Sequence, residues 1–233
     1  MLNNNIITIL KSANTITDKV ILKYPVTVVN SPSADIYMRV DTSILDEDKF
    51  EDIGIYELSE FLNVFSLYSE DRIVKQDNAI ITVSDSSSVS TYVTSEIDLM
   101  NDFNKAPIMF EKTKAVDTVC EFELTKEILK KVKNASGVYK TLKDLNLISM
   151  DSELTLELSQ NNTFASKSNS HKINVNASCS KEFKVSLPIV NFISLPVNNY
   201  TAYVKYNANA NAYRFLLVSK DIPGMEIIMS TNA

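Results

Sequence analysis

Along most of the chain apolar and polar residues alternate one by one, the pattern of strands with one face buried. Period-two or β-branched character marks residues 36–40, 79–83, 89–93, 119–124, 154–158, 173–177 and 200–206. Polar clusters at 85–88 and 207–211 supply turns between such runs. Four segments instead show helical spacing. Ile6, Ile7 and Leu10 share one face of the first, and Ile128, Leu129, Val132 and Ala135 share one face of the third. The second and fourth, 61–67 and 189–195, are short and mostly apolar.

The helical segments form two matched pairs. Ile6-Ile7-x-x-Leu10-Lys11-Ser12-Ala13 is echoed by Ile128-Leu129-x-x-Val132-Lys133-Asn134-Ala135. Phe61-Leu62-Asn63-Val64-Phe65-Ser66-Leu67 is echoed by Ile189-Val190-Asn191-Phe192-Ile193-Ser194-Leu195. Recurrence of both, in the same order and at nearly the same spacing, points to a duplicated unit. The expected organisation is α+β: two similar domains, 1–96 and 119–233, joined by a linker over 97–118. In that linker isolated apolar residues sit among Asp98, Asp102, Asn104, Lys105 and Pro107. The C-terminal residues 225–230 read as a further strand.

Charge is unevenly placed. Residues 1–96 hold 7 basic against 15 acidic side chains, whereas 119–233 hold 13 against 10, although the whole chain carries −6. Such a total argues against indiscriminate nucleic-acid binding but leaves room for a local positive face. Helical geometry supplies one. Lys126, Lys130 and Lys133 form a stripe opposite the apolar face of 125–135, Lys131 lies to its flank, and Lys11 takes the place of Lys133 in the first copy.

Catalytic chemistry finds little to work with. Three glycines cannot build a dinucleotide or phosphate loop, and no G-x-S-x-G is present. The acidic run 46–52 lacks the ligand order of a calcium loop and reads as a solvated loop. His171, in a polar stretch with no cysteine or histidine nearby, reads as a solvated loop residue. Cys120 and Cys179 fit no disulfide framework or metal spacing and are expected to be free thiols of a reducing cytoplasm. No signal-like start and no bilayer-length apolar run occurs. No metal site, cofactor or enzyme activity is expected.

At this point the chain resembles the DNA polymerase sliding clamps of T-even-type tailed phages. The resemblance is carried by residues 6–11, by 55–67 (the most specific block), by 85–92, by Leu142-Lys143-Asp144-Leu145, and by Leu195-Pro196-Val197-Asn198-Asn199-Tyr200. It implies a subunit of two similar domains, with helices lining a ring and antiparallel sheets outside. It further implies a homotrimer around double-stranded DNA, acting in the host cytoplasm. Such a ring has no activity of its own, tethers the DNA polymerase, is opened by an ATP-dependent clamp loader, and binds short apolar peptides near the inter-domain linker. A ring that slides should touch phosphates, not base edges, and lysines suit that task as flexible point charges.

Three sets of residues follow as expectations. Lys11, Lys126, Lys130 and Lys133 face DNA. Val89, Thr91 and Val93 of one open strand meet Ile173 and Val175 of another across the subunit boundary, because open edges invite pairing. Ile108, Met109 and Phe110 with Ile228 and Met229 line a partner-peptide pocket. Methionine-rich apolar surfaces suit several peptides. A rival reading is a virion structural β-protein, which would have no reason to carry a duplicated helix pair with lysines on its first helix.

Overall fold

Asn3 and Thr125 each place a side-chain oxygen beneath the first turn of a helix, accepting the N–H of Ile6 at 2.9 Å and of Ile128 at 3.3 Å. These caps satisfy donors that would otherwise be orphaned at a helix start. They open α1 (Asn4–Asn14) and α4 (Lys126–Val138) at matching places in the two sequence copies. The computed structural model describes residues 2–44, 50–69, 71–100, 106–160 and 169–231. Most of the acidic run 46–52, linker residues 101–105 and the stretch 161–168 lie outside these.

The chain divides into two compact units, Met1–Pro107 with Ile222–Met225, and Ile108–Asp221 with Glu226–Ala233. The division falls inside the expected linker, but that segment is not the irregular crossing its composition suggests. It carries α3 (Ala106–Ala115), and β8 (Asp117–Leu124) begins within it. Periodicity does not reveal this helix because, among its described side chains, the buried ones are one apolar and one hydroxyl residue, Phe110 and Thr113. Nor does local pattern place 222–225 with the first unit.

In the first unit, β1 (Val20–Leu22) pairs with β4 (Ile53–Ile55), and β2 (Val26–Asn30) pairs with β3 (Ile36–Asp41). After α2 (Leu58–Ser66) comes an antiparallel sheet of β5 (Ile73–Asp77), β6 (Ile80–Ser84) and β7 (Val89–Val93), in that order. Asn78, at φ 51°, takes the left-handed turn between β5 and β6, which asparagine tolerates better than most residues. Between β6 and β7 the Asp85 carboxylate accepts the N–H groups of Ser87 and Ser88, both at 2.8 Å. Those bonds hold its pKa below the ordinary carboxylate value. α1 packs on α2, and Phe61 of α2 meets Phe65 and Tyr92 with ring centroids 4.9 Å apart in each case. Gly54 is required where residues 95–100 cross β4: a Cβ there would stand 2.5 Å from the Ser95 carbonyl oxygen and 2.9 Å from the Met100 sulfur.

The second unit has two antiparallel sheets. One orders β12 (Ala177–Cys179), β8, β14 (Tyr200–Asn207), β15 (Ala212–Ser219) and β16 (Met225–Ser230). The other orders β11 (His171–Val175), β10 (Glu153–Ser159), β9 (Asp144–Met150) and β13 (Phe183–Pro188). β9 and β10 join through Asp151 and Ser152, both at positive φ, a two-residue turn whose twist matches that of the strands. Leu145, Leu147, Leu154, Leu156 and Leu158 are fully buried from those strands, and α4 packs on α5 (Ile189–Ile193). The strand expected over 173–177 is divided at Asn176, which separates β11 in one sheet from β12 in the other.

Register corrects the reading of the cysteines. Cys179 of β12 stands opposite Cys120 of β8, and the two form a disulfide instead of remaining free thiols. A separation of 59 residues conceals a pairing that only the antiparallel ladder creates. His171 is likewise not a loop residue: it begins β11 and stacks on Tyr139 with centroids 6.2 Å apart.

Candidate nucleic-acid interface

The first sequence echo holds side chain by side chain. Ile7, Leu10 and Ala13 of α1 are buried, as are Leu129, Val132 and Ala135 of α4. The second echo does not. Asn63 is exposed while its sequence match Asn191 is buried, and Leu67 is exposed while Leu195 is fully buried. Burial instead aligns Leu58 and Phe61 with Ile189 and Phe192, three residues away from the letter match. Both helices start on those first residues, after Glu57 and after Pro188. The packing of an apolar pair one turn apart, not the identity of the asparagine, sets the true correspondence.

With that correction, the outward stripe of α1 is Asn4, Thr8 and Lys11, and it corresponds to Lys126, Lys130 and Lys133 of α4. The three lysines have different surroundings. Lys130 is exposed, and so is the flanking Lys131. Lys126 pairs with Asp221 at 3.0 Å, while its backbone N–H donates to Asn199 Oδ1 at 3.1 Å. Asp221 also accepts the Asn199 N–H at 2.8 Å, and these donors hold its carboxyl below the ordinary range. Lys133 turns away from solvent: its Nζ donates to the Leu195 carbonyl at 2.7 Å, just past the end of α5, and burial lowers its pKa. Of the stripe expected to face DNA, Lys130 lies open to solvent, Lys126 stands in an ion pair and Lys133 is tied to the turn after α5.

In the first unit Lys11 is exposed as expected and lines a groove of about 310 Å³ between α1 and α2. Arg72, in the turn between α2 and β5, lines the same groove and stands outside the expected set. Its Nη2 donates to Asn4 Oδ1 at 2.8 Å, its Nη1 to the Ser69 carbonyl at 3.0 Å, and its Cζ stands 5.3 Å from the Phe65 ring centre. In sequence it follows Asp71 and belongs to no periodic face, so no stripe announces it. The opposite end of α2 is acidic. Asp18 accepts the Ser59 N–H at 2.7 Å, and the neighbouring Glu60 raises the pKa of Glu57.

β7 pairs with β6 on one side only within its sheet. The Thr94 N–H bonds the Ala79 carbonyl at 2.8 Å and the Asp85 N–H bonds the Ser88 carbonyl at 3.0 Å. Alternation along an antiparallel pair then turns the backbone N–H groups of Val89, Thr91 and Val93 outward, away from β6. Their side chains are exposed as well. β11 is likewise the last strand of its sheet. Ile173 is half-buried there, but Val175 is buried against its own unit and offers no side chain to a partner, a correction to the interface set.

Solved structures of very different sequence share this architecture. Proliferating Cellular Nuclear Antigen from Entamoeba histolytica superposes with a TM-score of 0.67 at 10% identity, covering 97% of this chain and 94% of that one. The PCNA2-PCNA3 complex from Sulfolobus tokodaii gives 0.66 at 8% identity, covering 98% and 96%. The A. fulgidus PCNA bound to the C-terminal region of FEN-1 gives 0.67 at 10% identity, covering 97% and 94%. The fold is that of the DNA sliding clamps. No protein-family model and no curated protein matches the sequence.

Three of the five residues expected to line the partner-peptide pocket are withdrawn from the surface. Phe110, Ile228 and Met229 are all at most 1% exposed and complete the core of the second unit. Ile108, 55% exposed, and the half-buried Met109 present apolar surface on α3. α3 is fastened by polar contacts. The Lys205 ammonium donates to the carbonyls of Lys114 and Val116 at 3.3 and 3.1 Å, Arg214 Nη1 to Thr113 Oγ1 at 3.0 Å, and Lys114 pairs with Glu226 at 2.6 Å. Among the described residues no cluster of His, Cys, Asp and Glu could hold a metal ion, and no helix is long and apolar enough to cross a membrane.

Proposed function

We propose that this chain is a DNA sliding clamp, a ring that encircles duplex DNA and tethers a replicative polymerase for processive synthesis, without catalytic activity of its own. The observation that carries the reading is the full-length clamp fold combined with the repeated helix pair, whose outward stripes bear Lys11 and Lys130 on an otherwise acidic chain. A ring that moves along DNA must hold by topology and touch phosphates weakly. A small number of exposed cations and a set of neutral amide and hydroxyl groups suit that requirement.

Assembly is proposed as a homotrimer through head-to-tail pairing of β7 with β11, since a heterologous contact closes into a ring when its rotation fits. The Sulfolobus tokodaii relative, solved as a PCNA2-PCNA3 complex, supports assembly between clamp chains. The A. fulgidus relative, solved with the C-terminal region of FEN-1, supports recognition of partner peptides. Here such a peptide is assigned to the surface of Ile108 and Met109. The resemblance of residues 55–67 to phage clamps supports an origin in a T-even-type phage, action in the host cytoplasm and loading by an ATP-dependent loader. Light scattering should give the mass of three chains. A loaded ring should stay on closed circular DNA and slide off after linearisation. A monomer at high concentration, with equal retention on circular and linear DNA, would falsify the reading.

A further inference from the structure

We propose that the groove between α1 and α2 is a seat for a DNA backbone phosphate, formed by Arg72 and Lys11 with the neutral donors around them. This inference rests on the clamp reading and deepens it, because it names a contact that the lysine stripe does not supply.

The lysine stripe of α4 has no full counterpart on α1, where Asn4 and Thr8 stand in the places of Lys126 and Lys130. Read by helix faces alone, the first unit would offer DNA a single cation. Arg72 changes that. It reaches the groove from the turn after α2, and its Nη2 bond to Asn4 brings it alongside the stripe that ends in Lys11. Two cations therefore line one groove, and none of the described residues lining it is acidic.

Arg72 is also incompletely used by the protein. Its Nη1 and Nη2 have partners, but its Nε is buried without one. A guanidinium carries five donors in a planar fork, and an orphaned buried N–H costs free energy unless a ligand or water meets it. Phe65 under the guanidinium and the bonds to Asn4 and Ser69 fix its plane, so little side-chain entropy remains to be lost when an anion arrives. The remaining polar lining, Asn4, Thr8, Ser66 and Tyr68, is neutral. Amides and hydroxyls beside a cation pair are the groups that meet phosphate oxygens without reading bases. The acidic end of α2, at Asp18, Glu57 and Glu60, lies at the other end of that helix and would repel the same backbone.

The test uses the intact assembled protein and a labelled duplex, with binding followed by fluorescence anisotropy across a salt series. Wild type is compared with Arg72→Gln, Arg72→Lys and Lys11→Gln, and each variant is also melted. Arg72→Gln and Lys11→Gln should each weaken binding uniformly across sequences and reduce the slope of log affinity against log salt by about one. Arg72→Lys should keep most of the slope, since it keeps the charge. Unchanged slopes in Arg72→Gln and Lys11→Gln overturn the seat. Should Arg72→Gln fail to fold, a wild-type slope in Lys11→Gln overturns it alone. Inorganic phosphate at matched ionic strength should displace the duplex no better than chloride; saturable displacement by phosphate would assign the groove to a free anion and reject DNA. Retention on circular DNA is scored separately. A wild type that is retained while the variants keep their slope refutes the seat and leaves the clamp reading standing, whereas loss of retention in wild type refutes the clamp reading itself.

Discussion

Lys133 of α4 donates its ammonium to the Leu195 carbonyl at 2.7 Å, in the turn that follows α5. Lys205 closes the end of α3 through the carbonyls of Lys114 and Val116. A cation at a helix C-terminus meets unpaired carbonyls and the negative end of the helix dipole. α5 has only five residues, too few to be stable without tertiary support. Lys133 thus has a structural role, although periodicity places it on the lysine stripe that the clamp resemblance assigns to DNA.

Lys133→Met should therefore destabilise the fold by about 1–2 kcal/mol, the scale of one half-buried hydrogen bond from a charged group. Lys130→Met should stay within about half a kcal/mol and act on DNA binding instead. Chemical denaturation of both variants checks this. The pH dependence has a definite sign. Burial lowers the Lys133 pKa in the folded chain below the ordinary value of 10.5, so between those two values the unfolded chain binds the extra proton. Stability then gains a contribution that rises with pH across that alkaline window. Comparing wild type with Lys133→Met at several alkaline pH values should show that contribution missing from the variant.

Thr91→Pro should abolish ring assembly while leaving the monomer folded. Its N–H points away from β6, so proline removes a donor from the open edge without breaking a bond inside the sheet. Sedimentation should show a single chain with the melting temperature of the wild-type monomer under dissociating conditions. A trimer of normal affinity would place the boundary on another edge.

Gly54→Ala should cost about 1–3 kcal/mol, the usual penalty of overpacking, because the new methyl group meets the backbone of Ser95. Backbone cannot swing aside as a flexible side chain would, so residues 95–100 must shift. Hydrogen exchange should show lost protection at Ser95, whose N–H donates to the Gly54 carbonyl at 2.8 Å, with the β9–β10 hairpin unaffected.

Ile108→Asp should fold normally and weaken binding of an apolar partner peptide, since Ile108 is exposed on α3. Ile228→Asp should not yield a folded chain, because it buries an unpaired carboxylate in the core of the second unit. Peptide titration against Ile108→Asp and expression of Ile228→Asp separate the two. Wild-type affinity in Ile108→Asp moves the docking surface away from α3.

Elements with a strong local period are legible in the amino-acid sequence itself. β7 spans Val89–Val93, the residues expected from alternation, and α1 and α4 carry the expected apolar faces with caps at equivalent positions. Those features depend on neighbours a few residues apart, whose burial a strand or helix sets by its own geometry. Duplication, and through it the α+β class, is readable for the same reason. What local pattern cannot reach are relations made by chain segments far apart. The disulfide of Cys120 with Cys179 needs the β8–β12 register, and the true match of α5 to α2 needs burial, not letters. The bond of Lys133 to Leu195 and the placement of Arg72 beside Asn4 join residues more than sixty positions apart, and the burial of Met229 depends on which face a sheet covers. Periodicity says which side of an element is buried. Which partner fills that side is settled only when distant elements pack, because hydrophobic burial is non-directional until close packing and hydrogen bonding select one neighbour.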